Sequence, residues 1–492
     1  MKRFFCLLIC LLLCALPALA EGPQYAPANT AYCVVADDVI HLFTAEGGEA
    51  QQPLAGDLWN ENAYDGEEMS DRVSLDGSCM LLAVQVEGGN RLVYFDGQEL
   101  VNVAENVQDA ALSPDGRRVL YMDRVGLYLY EAGQSRFITE DAMRRSCGFA
   151  ADSETVYYTR LCYDAQGNRY AGVFLYDGAE EEVLRNGYLL SVSADRGVLV
   201  YLQVDENFED ELGIYVLNRA TGDALAITGG ELDGMYSNSA QDEFLFMPDE
   251  EETVLLYRDG EMTQIAVGNT RPVLPLGTQS REAGFYCQVL GVDTLRGTYW
   301  VNGGQENARI LRLDAEGVAT IAQGVSLEQT YLAQDGHTLF FLKNGSLRRL
   351  DGENPGGAPE VLADDVYGFV PVPDGSKIFY MSGADRVCCV VPGEAPVDLG
   401  LPCYSVRQEM LFHGDVLFVL NSDDRQVYRT DGGAPVLVAE SAGRDIGRIV
   451  CDLHQAFLLD WSTSRGESGA GATVLRSVDG ERFDIVGQWN MY

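Results

Sequence analysis

Short apolar runs alternate with tight-turn residues along most of this chain. Residues 119–122 are apolar, a polar break follows, and residues 126–130 are again apolar and aromatic. Asp115-Gly116 precedes the first run, and Ala132-Gly133 follows the second. Asp-Gly pairs suit the positive-φ positions of hairpin turns, and apolar runs of this length suit strands that are covered on both faces. The pattern predicts units of short strands joined by tight turns.

This unit recurs about every forty residues. The aspartate of its first turn, Asp115, has counterparts at Asp76, Asp152, Asp195, Asp335 and Asp374, and more weakly at His413. Asp76 and Asp115 are 39 residues apart, as are Asp335 and Asp374. The strand before the second turn recurs near residues 41, 93, 128, 174, 215, 255, 311, 348, 388, 428 and 474. Four short strands per period of this length are typical of propeller blades. The sequence therefore predicts an all-β fold of about eleven four-stranded repeat units.

The best-formed unit carries a family resemblance. Ser113-Pro114-Asp115-Gly116, followed by Arg118-Val119-Leu120-Tyr121, resembles the repeat motif of TolB-type, WD-repeat-like β-propellers. The same motif occurs in the propeller domains of prolyl-oligopeptidase-like enzymes. The resemblance extends over nearly the whole chain at the level of the repeat and implies a β-propeller architecture. Because the family includes scaffolds, sensors and enzyme-associated domains, the resemblance selects no activity.

The number of units bears on the domain organisation. Eleven units exceed the four to eight blades that usually form one ring. We therefore predict two tandem propellers, residues 21–270 and 271–492, with the boundary at the proline-containing segment 271–275. A single large ring is the alternative.

The N-terminus predicts export. Lys2 and Arg3 precede the apolar residues 4–16, and Ala18-Leu19-Ala20 forms a small-residue cleavage site, so residues 1–20 are predicted to be a signal peptide. We expect a secreted, extracytoplasmic chain that is cleaved after Ala20. Arginine in place of nearly all lysine suggests a GC-rich, bacterial source. The formal charge of −41 repels phosphate backbones and anionic lipid headgroups, so we expect neither nucleic-acid partners nor membrane insertion.

Strand order divides the connections between two faces. In a four-stranded meander, the first-to-second and third-to-fourth connections share one end of the strands, which we call the turn face. The second-to-third connections and the crossings between units share the other end, which we call the loop face. The Asp-Gly turns predict that all connections on the turn face are short. The long segments 56–71, 161–172, 203–213 and 289–308 are predicted on the loop face, where we expect binding.

Aromatic residues in these long segments are the candidate ligand contacts, because such rings stack on sugars and anchor peptides. They are Trp59, Tyr64, Tyr163, Tyr170, Tyr299 and Trp300. The alternative is that they pack the long segments onto the rim. Asp205, Glu209 and Asp210 are candidate Ca²⁺ ligands in an acid-rich segment, with a solvated acidic loop as the alternative. No other cofactor is indicated.

We recognise no catalytic motif in the sequence. The four histidines lack metal-ligand spacing, and Gly466-Glu467-Ser468-Gly469-Ala470 departs from a nucleophile elbow at its last residue. Nine cysteines follow Ala20 without a C-x-x-C pair, and we interpret them as small apolar residues. We therefore expect a non-catalytic binding or scaffold protein that recognises an extracellular glycan, peptide or protein. The alternative is a propeller-type polysaccharide hydrolase or lyase that uses paired carboxylates.

Overall fold

A computed structural model provides the structure of this chain. It describes residues 32–36, 39–43, 49–53, 74, 76, 78–86, 89–206, 210–248, 253–276, 281–283, 287–289, 291–305, 307–315, 317–354, 356–406, 410–413, 416–421, 426–440, 446–451, 456–460, 471–477 and 484–490.

The described strands form eleven sheets, which we number 1 to 11 in chain order. Sheets 1 and 2 have three strands each: β1 (Tyr32–Ala36), β2 (Val39–Phe43) and β3 (Glu49–Pro53), then β4 (Met80–Val86), β5 (Gly89–Phe95) and β6 (Leu100–Glu105). Sheet 3 has β7 (Asp109–Leu112), β8 (Arg118–Met122), β9 (Leu127–Glu131) and β10 (Gln134–Thr139). Sheet 4 has β11 (Ala142–Phe149), β12 (Val156–Tyr163), β13 (Arg169–Tyr176) and β14 (Glu180–Arg185). Sheet 5 has β15 (Gly187–Val192), β16 (Val198–Val204), β17 (Glu211–Asn218) and β18 (Asp223–Thr228).

The chain segment between the first two strands of sheet 7 adds a two-stranded hairpin to sheet 6. Sheet 6 has β19 (Leu232–Ser237), β20 (Phe244–Pro248), β21 (Thr253–Arg258) and β22 (Glu261–Val267), and its β19 edge is extended by β25 (Cys287–Val289) and β24 (Arg281–Ala283). Sheet 7 has β23 (Thr270–Val273), β26 (Tyr299–Asn302), β27 (Ala308–Asp314) and β28 (Gly317–Val325). The pairing of β25 with β19 is parallel, whereas the four consecutive strands of each sheet pair antiparallel.

Sheets 8 to 11 each have four consecutive strands. They are β29 (Thr330–Leu332), β30 (Thr338–Lys343), β31 (Ser346–Asp351) and β32 (Glu360–Ala363), then β33 (Val366–Pro371), β34 (Ile378–Ser382), β35 (Arg386–Val390) and β36 (Val397–Pro402). They continue with β37 (Met410–His413), β38 (Val416–Asn421), β39 (Gln426–Thr430) and β40 (Val436–Glu440), then β41 (Ile446–Cys451), β42 (Ala456–Asp460), β43 (Gly471–Ser477) and β44 (Asp484–Asn490).

The all-β prediction is confirmed, and the antiparallel four-stranded sheets are of the propeller-blade kind. Each of the repeat centres inferred from the sequence falls within a strand. Across the described part of the chain, no helix has the length and apolar character needed to cross a lipid bilayer.

The core consists of sheets packed face to face. In sheet 3, Val119 and Tyr121 of β8 pack towards sheet 2, in a cluster with Leu81. Their neighbours on the same strand, including Leu120, pack in the opposite direction against sheet 4, where Tyr158 is fully buried. Successive side chains of a strand point to opposite faces, so a continuous apolar run covers both faces of the sheet. This explains why the strands contain apolar runs rather than an alternating pattern.

The same packing continues from sheet 1 to sheet 10, each sheet sharing a buried cluster with the next. Sheets 6 and 7 share one that includes Leu245, Trp300 and Leu311. The segment 271–275, which the sequence predicts to be a domain boundary, overlaps strand β23 of sheet 7, and sheet 7 packs on sheet 6. The division into residues 21–270 and 271–492 stays a prediction.

The six cysteines whose side chains the structure describes are part of this packing. Cys79, Cys388, Cys389 and Cys403 are buried, Cys147 and Cys162 are half-buried, and all six are free thiols. Burial raises the pKa of the Cys389 thiol to about 11, which keeps it protonated and unreactive at neutral pH. The interpretation of these six as small apolar residues agrees with their surroundings.

A serine and an aspartate close the first turn of the best-formed sheets. In sheet 5, Ser193 Oγ donates to Asp195 Oδ1 at 2.7 Å and accepts from the Val198 amide at 2.9 Å. The Gly197 amide donates to the same Asp195 oxygen at 2.7 Å. The hydrogen bond from Ser193, followed by that from the Gly197 amide, lowers the pKa of Asp195 below 3.8. Ser113 with Asp115 and Ser74 with Asp76 make the equivalent serine–aspartate bond.

These first turns also link neighbouring sheets through their backbones. The amide of the turn's second residue donates to a carbonyl at the first turn of the next sheet. Such bonds run from Ala151 to Val192 at 3.0 Å, from Ala194 to Ala240 at 2.8 Å and from Gln334 to Pro373 at 2.8 Å. The geometry of a turn therefore fixes the position of the following sheet as well as its own hairpin.

Removing the serine hydroxyl tests this role. We expect Ser193→Ala to lower the free energy of unfolding by about 1–2 kcal/mol, because it removes two partly buried hydrogen bonds. Urea unfolding measures this loss, and Ser135→Ala, at an exposed position of β10, should leave stability within about 0.5 kcal/mol.

The pH dependence gives a second readout of the same variant. The folded-state pKa of Asp195 is lowered, so its stabilisation is present above the unfolded pKa and is lost as pH falls through the folded-state pKa. The stability difference between the parent and Ser193→Ala should therefore shrink below about pH 4. A difference independent of pH would contradict the proposed serine–aspartate coupling.

Candidate functional site

The two faces defined by strand order exist in the structure. First strands of neighbouring sheets approach one another: β7 contacts β11, β11 contacts β15, β23 contacts β29, and β37 contacts β41. The sheets therefore converge at their first strands, and the connections emerge at the two ends of the strands. The Asp-Gly turns at Gly97, Gly178 and Gly260, all with positive φ, lie at the turn face.

A cavity of about 600 Å³ opens at the loop face between sheets 6 and 7. Its residues come from four strands, β19, β20, β21 and β23, and from the connections that follow β22, β26 and β28. The lining residues are Asp233, Tyr236, Met247, Pro248, Thr253, Gly268, Asn269, Thr270, Arg271, Gly303, Gly304 and Leu327. The second-to-third connections and the crossings between sheets all lie at the loop face. The crossing from β22 to β23 and the end of β26 are therefore neighbours at the cavity.

One side of the cavity is apolar and rigidly supported. Tyr236 and Met247 pack on the buried cluster shared by sheets 6 and 7. The Tyr236 ring meets the buried Trp300 ring edge to face, with centroids 5.3 Å apart. Leu327 adds an apolar side chain from the crossing between β28 and β29. The core therefore fixes the position of the aromatic wall.

The buried amide of Asn302 holds the crossing that forms the polar side. Its Nδ2 atom lies 2.8 Å from Thr270 Oγ1 and 3.0 Å from the Val267 carbonyl oxygen, and its Oδ1 atom accepts from Arg309 Nε at 2.9 Å. The Gly303 amide donates to the Asn269 carbonyl at 2.9 Å. These bonds fix the backbone of residues 267–270 against the end of β26, so Asn269 and Arg271 are held at the cavity.

Exposed apolar side chains are also found at the loop face. Tyr367 near the start of β33 is 68% exposed, and Tyr163 at the end of β12 is 65% exposed. Others at strand ends or connections of this face are Val125, Leu212, Val267 and Tyr404. The remaining large exposed hydrophobic residues, Phe137, Val361, Val397, Val436 and Leu437, lie on fourth strands, at the opposite edge from the convergent first strands.

The candidates Tyr163 and Tyr170 lie on one hairpin at this face. Tyr163 pairs with Arg169, and Tyr170 pairs with Cys162, so the two tyrosine rings project from opposite faces of the hairpin. The Tyr170 ring is covered by the Arg185 guanidinium, 4.4 Å from the ring centroid. Tyr163 offers an exposed ring, whereas Tyr170 already has a cation–π partner.

The placement of Tyr299 and Trp300 in a long loop is wrong. Both lie in β26 and are 1% exposed, with Trp300 Nε1 donating to Thr298 Oγ1 at 2.8 Å. Burial raises the pKa of Tyr299 to about 12. The physical reason is that sheet 7 needs an apolar second strand between its neighbours, and residues 299–302 supply it. These two residues are therefore core residues and cannot contact a ligand.

The same correction moves the long insertion to the other face. Residues 274–298 connect β23 to β26, a first-to-second connection, so the turn face is not uniformly tight. Within the insertion, the Val292 carbonyl accepts a hydrogen bond from the Ser239 amide at 2.6 Å. In other pairs of sheets, the equivalent amide donates to a carbonyl at the first turn of the next sheet. Val292 and Leu295 are fully buried. The insertion thus replaces a first turn in the contact between sheets 6 and 7.

A partly buried ion pair between Glu243 and Arg258 anchors this insertion. Glu243 Oε1 lies 3.3 Å from Arg258 Nε, and Glu243 Oε2 accepts from the Leu295 amide at 2.7 Å. Burial, which outweighs the neighbouring Glu243 carboxylate, lowers the pKa of Arg258. Because the carboxylate also accepts from a backbone amide, the pair has a structural role on the turn face.

The remaining candidates are placed only in part. Trp59, Tyr64 and Glu209 lie outside the described residues. Asp205 Oδ1 accepts from the Asp210 amide at 3.3 Å, so this carboxylate closes its own loop. Within the described ranges, no group of three or more histidine, cysteine, aspartate or glutamate side chains is arranged to hold a metal ion. Calcium binding at Asp205, Glu209 and Asp210 stays a prediction.

Comparisons with known proteins concern the fold. No model of a known protein family matches the chain, and no curated protein matches it. The chain resembles TolB-type propellers at the level of the repeat. The crystal structure of TolB from Acinetobacter baumannii is 14% identical over 51% of this chain and 67% of that chain, with a TM-score of 0.31.

Two further solved structures show similarly low likeness. An oligogalacturonate lyase in complex with manganese is 10% identical over 76% of this chain and 98% of that chain, with a TM-score of 0.30. A eukaryotic initiation factor is 9% identical over 83% of this chain and 96% of that chain, with a TM-score of 0.37. At these values the likeness says nothing about a ligand or a reaction.

Sequence reasoning missed the cavity residues. The segment Gly268-Asn269-Thr270-Arg271 reads as an ordinary crossing, and Gly303-Gly304 reads as an ordinary turn. The signal that could have revealed them is the short apolar run 299–301, which has polar residues on both sides and is therefore typical of a strand. Recognising this run as a strand would have placed both segments at the same end of neighbouring sheets.

The corrected roles of the aromatic residues are testable by stability. We expect Trp300→Ala to lower the free energy of unfolding by about 3–5 kcal/mol, because it leaves a large cavity between sheets 6 and 7. The exposed Tyr163→Ala is the control and should change stability by less than about 0.5 kcal/mol in the same urea titration. Equal effects of the two substitutions would contradict the assignment of Trp300 to the core.

Proposed function

We propose that this chain is a secreted, non-catalytic binding or scaffold protein that recognises an extracellular glycan, peptide or protein through its loop face. The cavity between sheets 6 and 7 is the observation that carries the proposal. Its volume of about 600 Å³ lies within the range of about 300–1,000 Å³ typical of small-molecule sites. Exposed apolar side chains on the same face, including Tyr163 and Tyr367, provide further contact area.

The chemistry of the cavity favours binding over catalysis. Paired-carboxylate hydrolysis of a glycosidic bond needs two carboxyl groups that face the same bond. Among the described residues that line the cavity, Asp233 is the single carboxylate. Arg271, Asn269 and Thr253 supply polar groups suited to orienting a ligand.

Blocking one face at a time tests the proposal. The chain from residue 21 onwards is screened against glycans and peptides, with and without Ca²⁺, and each sample is also assayed for cleaved products. Gln305→Cys, exposed at the loop face, and Glu261→Cys, exposed at the turn face, are each coupled to a maleimide polyethylene glycol. Unsubstituted protein treated with the same reagent controls for the native thiols.

We expect the polymer at position 305 to weaken binding by at least about tenfold, a change of about 1.4 kcal/mol, while the polymer at position 261 leaves binding unchanged. Loss of binding only with the polymer at position 261 would place binding on the turn face and contradict the proposal. Cleaved glycan products would establish the hydrolase or lyase alternative instead.

We also propose that the sheets divide into two rings, because eleven sheets exceed the blades of one usual ring. The alternative of a single large ring is supported by two observations: both faces of sheets 6 and 7 are covered by their neighbours in the chain, and β1 contacts β44. Electron-microscopy class averages of the purified chain should show two adjoining discs. A single disc with one central channel would contradict the division.

A further inference from the structure

We propose that the cavity between sheets 6 and 7 binds one neutral saccharide unit of an extracellular glycan. This inference rests on the proposed function and specifies its ligand class. It follows from the distribution of apolar and polar groups around the cavity, from the local charge balance and from the rigidity of the aromatic wall.

The arrangement of groups matches the two-sided character of a pyranose ring. Tyr236, Met247 and Leu327 supply an apolar patch, and Asn269, Thr253 and Asp233 supply polar groups around it. A sugar ring presents C–H bonds on its faces and hydroxyl groups at its edge. The ring faces can pack on the apolar patch while the hydroxyl groups reach the polar residues.

The charge balance favours a neutral ligand. The described lining contains one carboxylate, Asp233, and one guanidinium, Arg271, so its formal charges cancel. The chain as a whole carries a formal charge of −41, which disfavours the approach of uronic acids and sulfated sugars. An anionic sugar would need more than one cation to overcome this field, and the described lining offers only Arg271.

Both charged groups have hydrogen-bonding capacity for hydroxyls. Asp233 and Arg271 each have a partner within the protein. A carboxylate presents about four lone-pair sites and a guanidinium five N–H donors, so each group can bond more than one partner at a time. Sugar hydroxyls donate and accept at once, which suits a site that contains both kinds of group.

The supporting structure is pre-formed. Trp300 fixes the Tyr236 ring from the core, and Asn302 holds the backbone of residues 267–270. A rigid site loses little conformational entropy on binding, which matters for a ligand that gains only weak net energy from each hydroxyl.

Filling the cavity mouth is the direct test. A Cβ added at Gly304 meets no heavy atom within 4 Å, and its φ is not in the left-handed range, so Gly304→Phe adds bulk there without a clash at the Cβ. Gly356→Phe is the matched control, because Gly356 is equally open but lies on the turn face between β31 and β32. Asp233→Ala, with the exposed Asp223→Ala as its control, removes one polar contact.

The probes are cellohexaose, xylohexaose and mannohexaose as neutral oligosaccharides, trigalacturonic acid as an anionic one, and a random hexapeptide library. Isothermal titration calorimetry measures affinity, and the melting temperature of each variant confirms folding. We expect at least one neutral oligosaccharide to bind, Gly304→Phe to weaken it by at least about tenfold and Asp233→Ala by about tenfold or more, with both controls unchanged.

Each of the following results would overturn the inference. Preferential binding of trigalacturonic acid would refute the neutral class, and preferential binding of peptides would refute a saccharide. A ligand that is blocked by the polymer at position 305 but is insensitive to Gly304→Phe and Asp233→Ala would preserve the proposed function and refute this cavity. Absence of binding to any probe, or blocking only from position 261, would overturn both.

Discussion

The structure depends on the burial of both faces of each sheet between its neighbours. Alternate side chains of one strand, such as Val119 and Leu120, contribute to two different clusters. Each sheet is therefore stable only with a partner on either side, and the chain must supply sheets in sequence. The hydrophobic effect sets the spacing and order of the sheets, while the turn hydrogen bonds set their ends.

This constraint leaves the connections as the variable part of the molecule. A strand that changes length or polarity disturbs two clusters at once, whereas a connection at a strand end disturbs neither. The turn face still carries much of the structure, through the serine–aspartate turns, the backbone bonds between turns and the anchor at Glu243. The loop face contains the cavity, and polar groups such as Asn269 are held there by contacts that begin in the core.

The fold was accessible from the sequence because its signals are local. An Asp-Gly pair after a short apolar run identifies a turn without any knowledge of distant contacts, and the regular period then orders the units. Tyr299 and Trp300 show where this reasoning ends. Their strand follows its partner β23 only after the insertion 274–298, so the period is broken and the run resembles an aromatic loop.

The candidate site was harder to predict for a related reason. Gly268, Asn269 and Gly303 have the composition of ordinary connections, and only the packing of sheet 6 on sheet 7 brings them together. Tyr163 is exposed at the loop-face end of β12, and its role as a ligand contact stays a prediction. The pairing of Tyr170 with Arg185 depends on a register that the pattern does not specify.

Hydrogen–deuterium exchange with and without a bound neutral oligosaccharide tests the central claim that the loop face between sheets 6 and 7 is the binding site. Binding slows amide exchange where a ligand covers or stabilises the backbone. The account predicts added protection at residues 233–236, 267–271 and 303–304, with little change at the turn-face segments 195–198 and 258–261. Protection confined to those turn-face segments would contradict it.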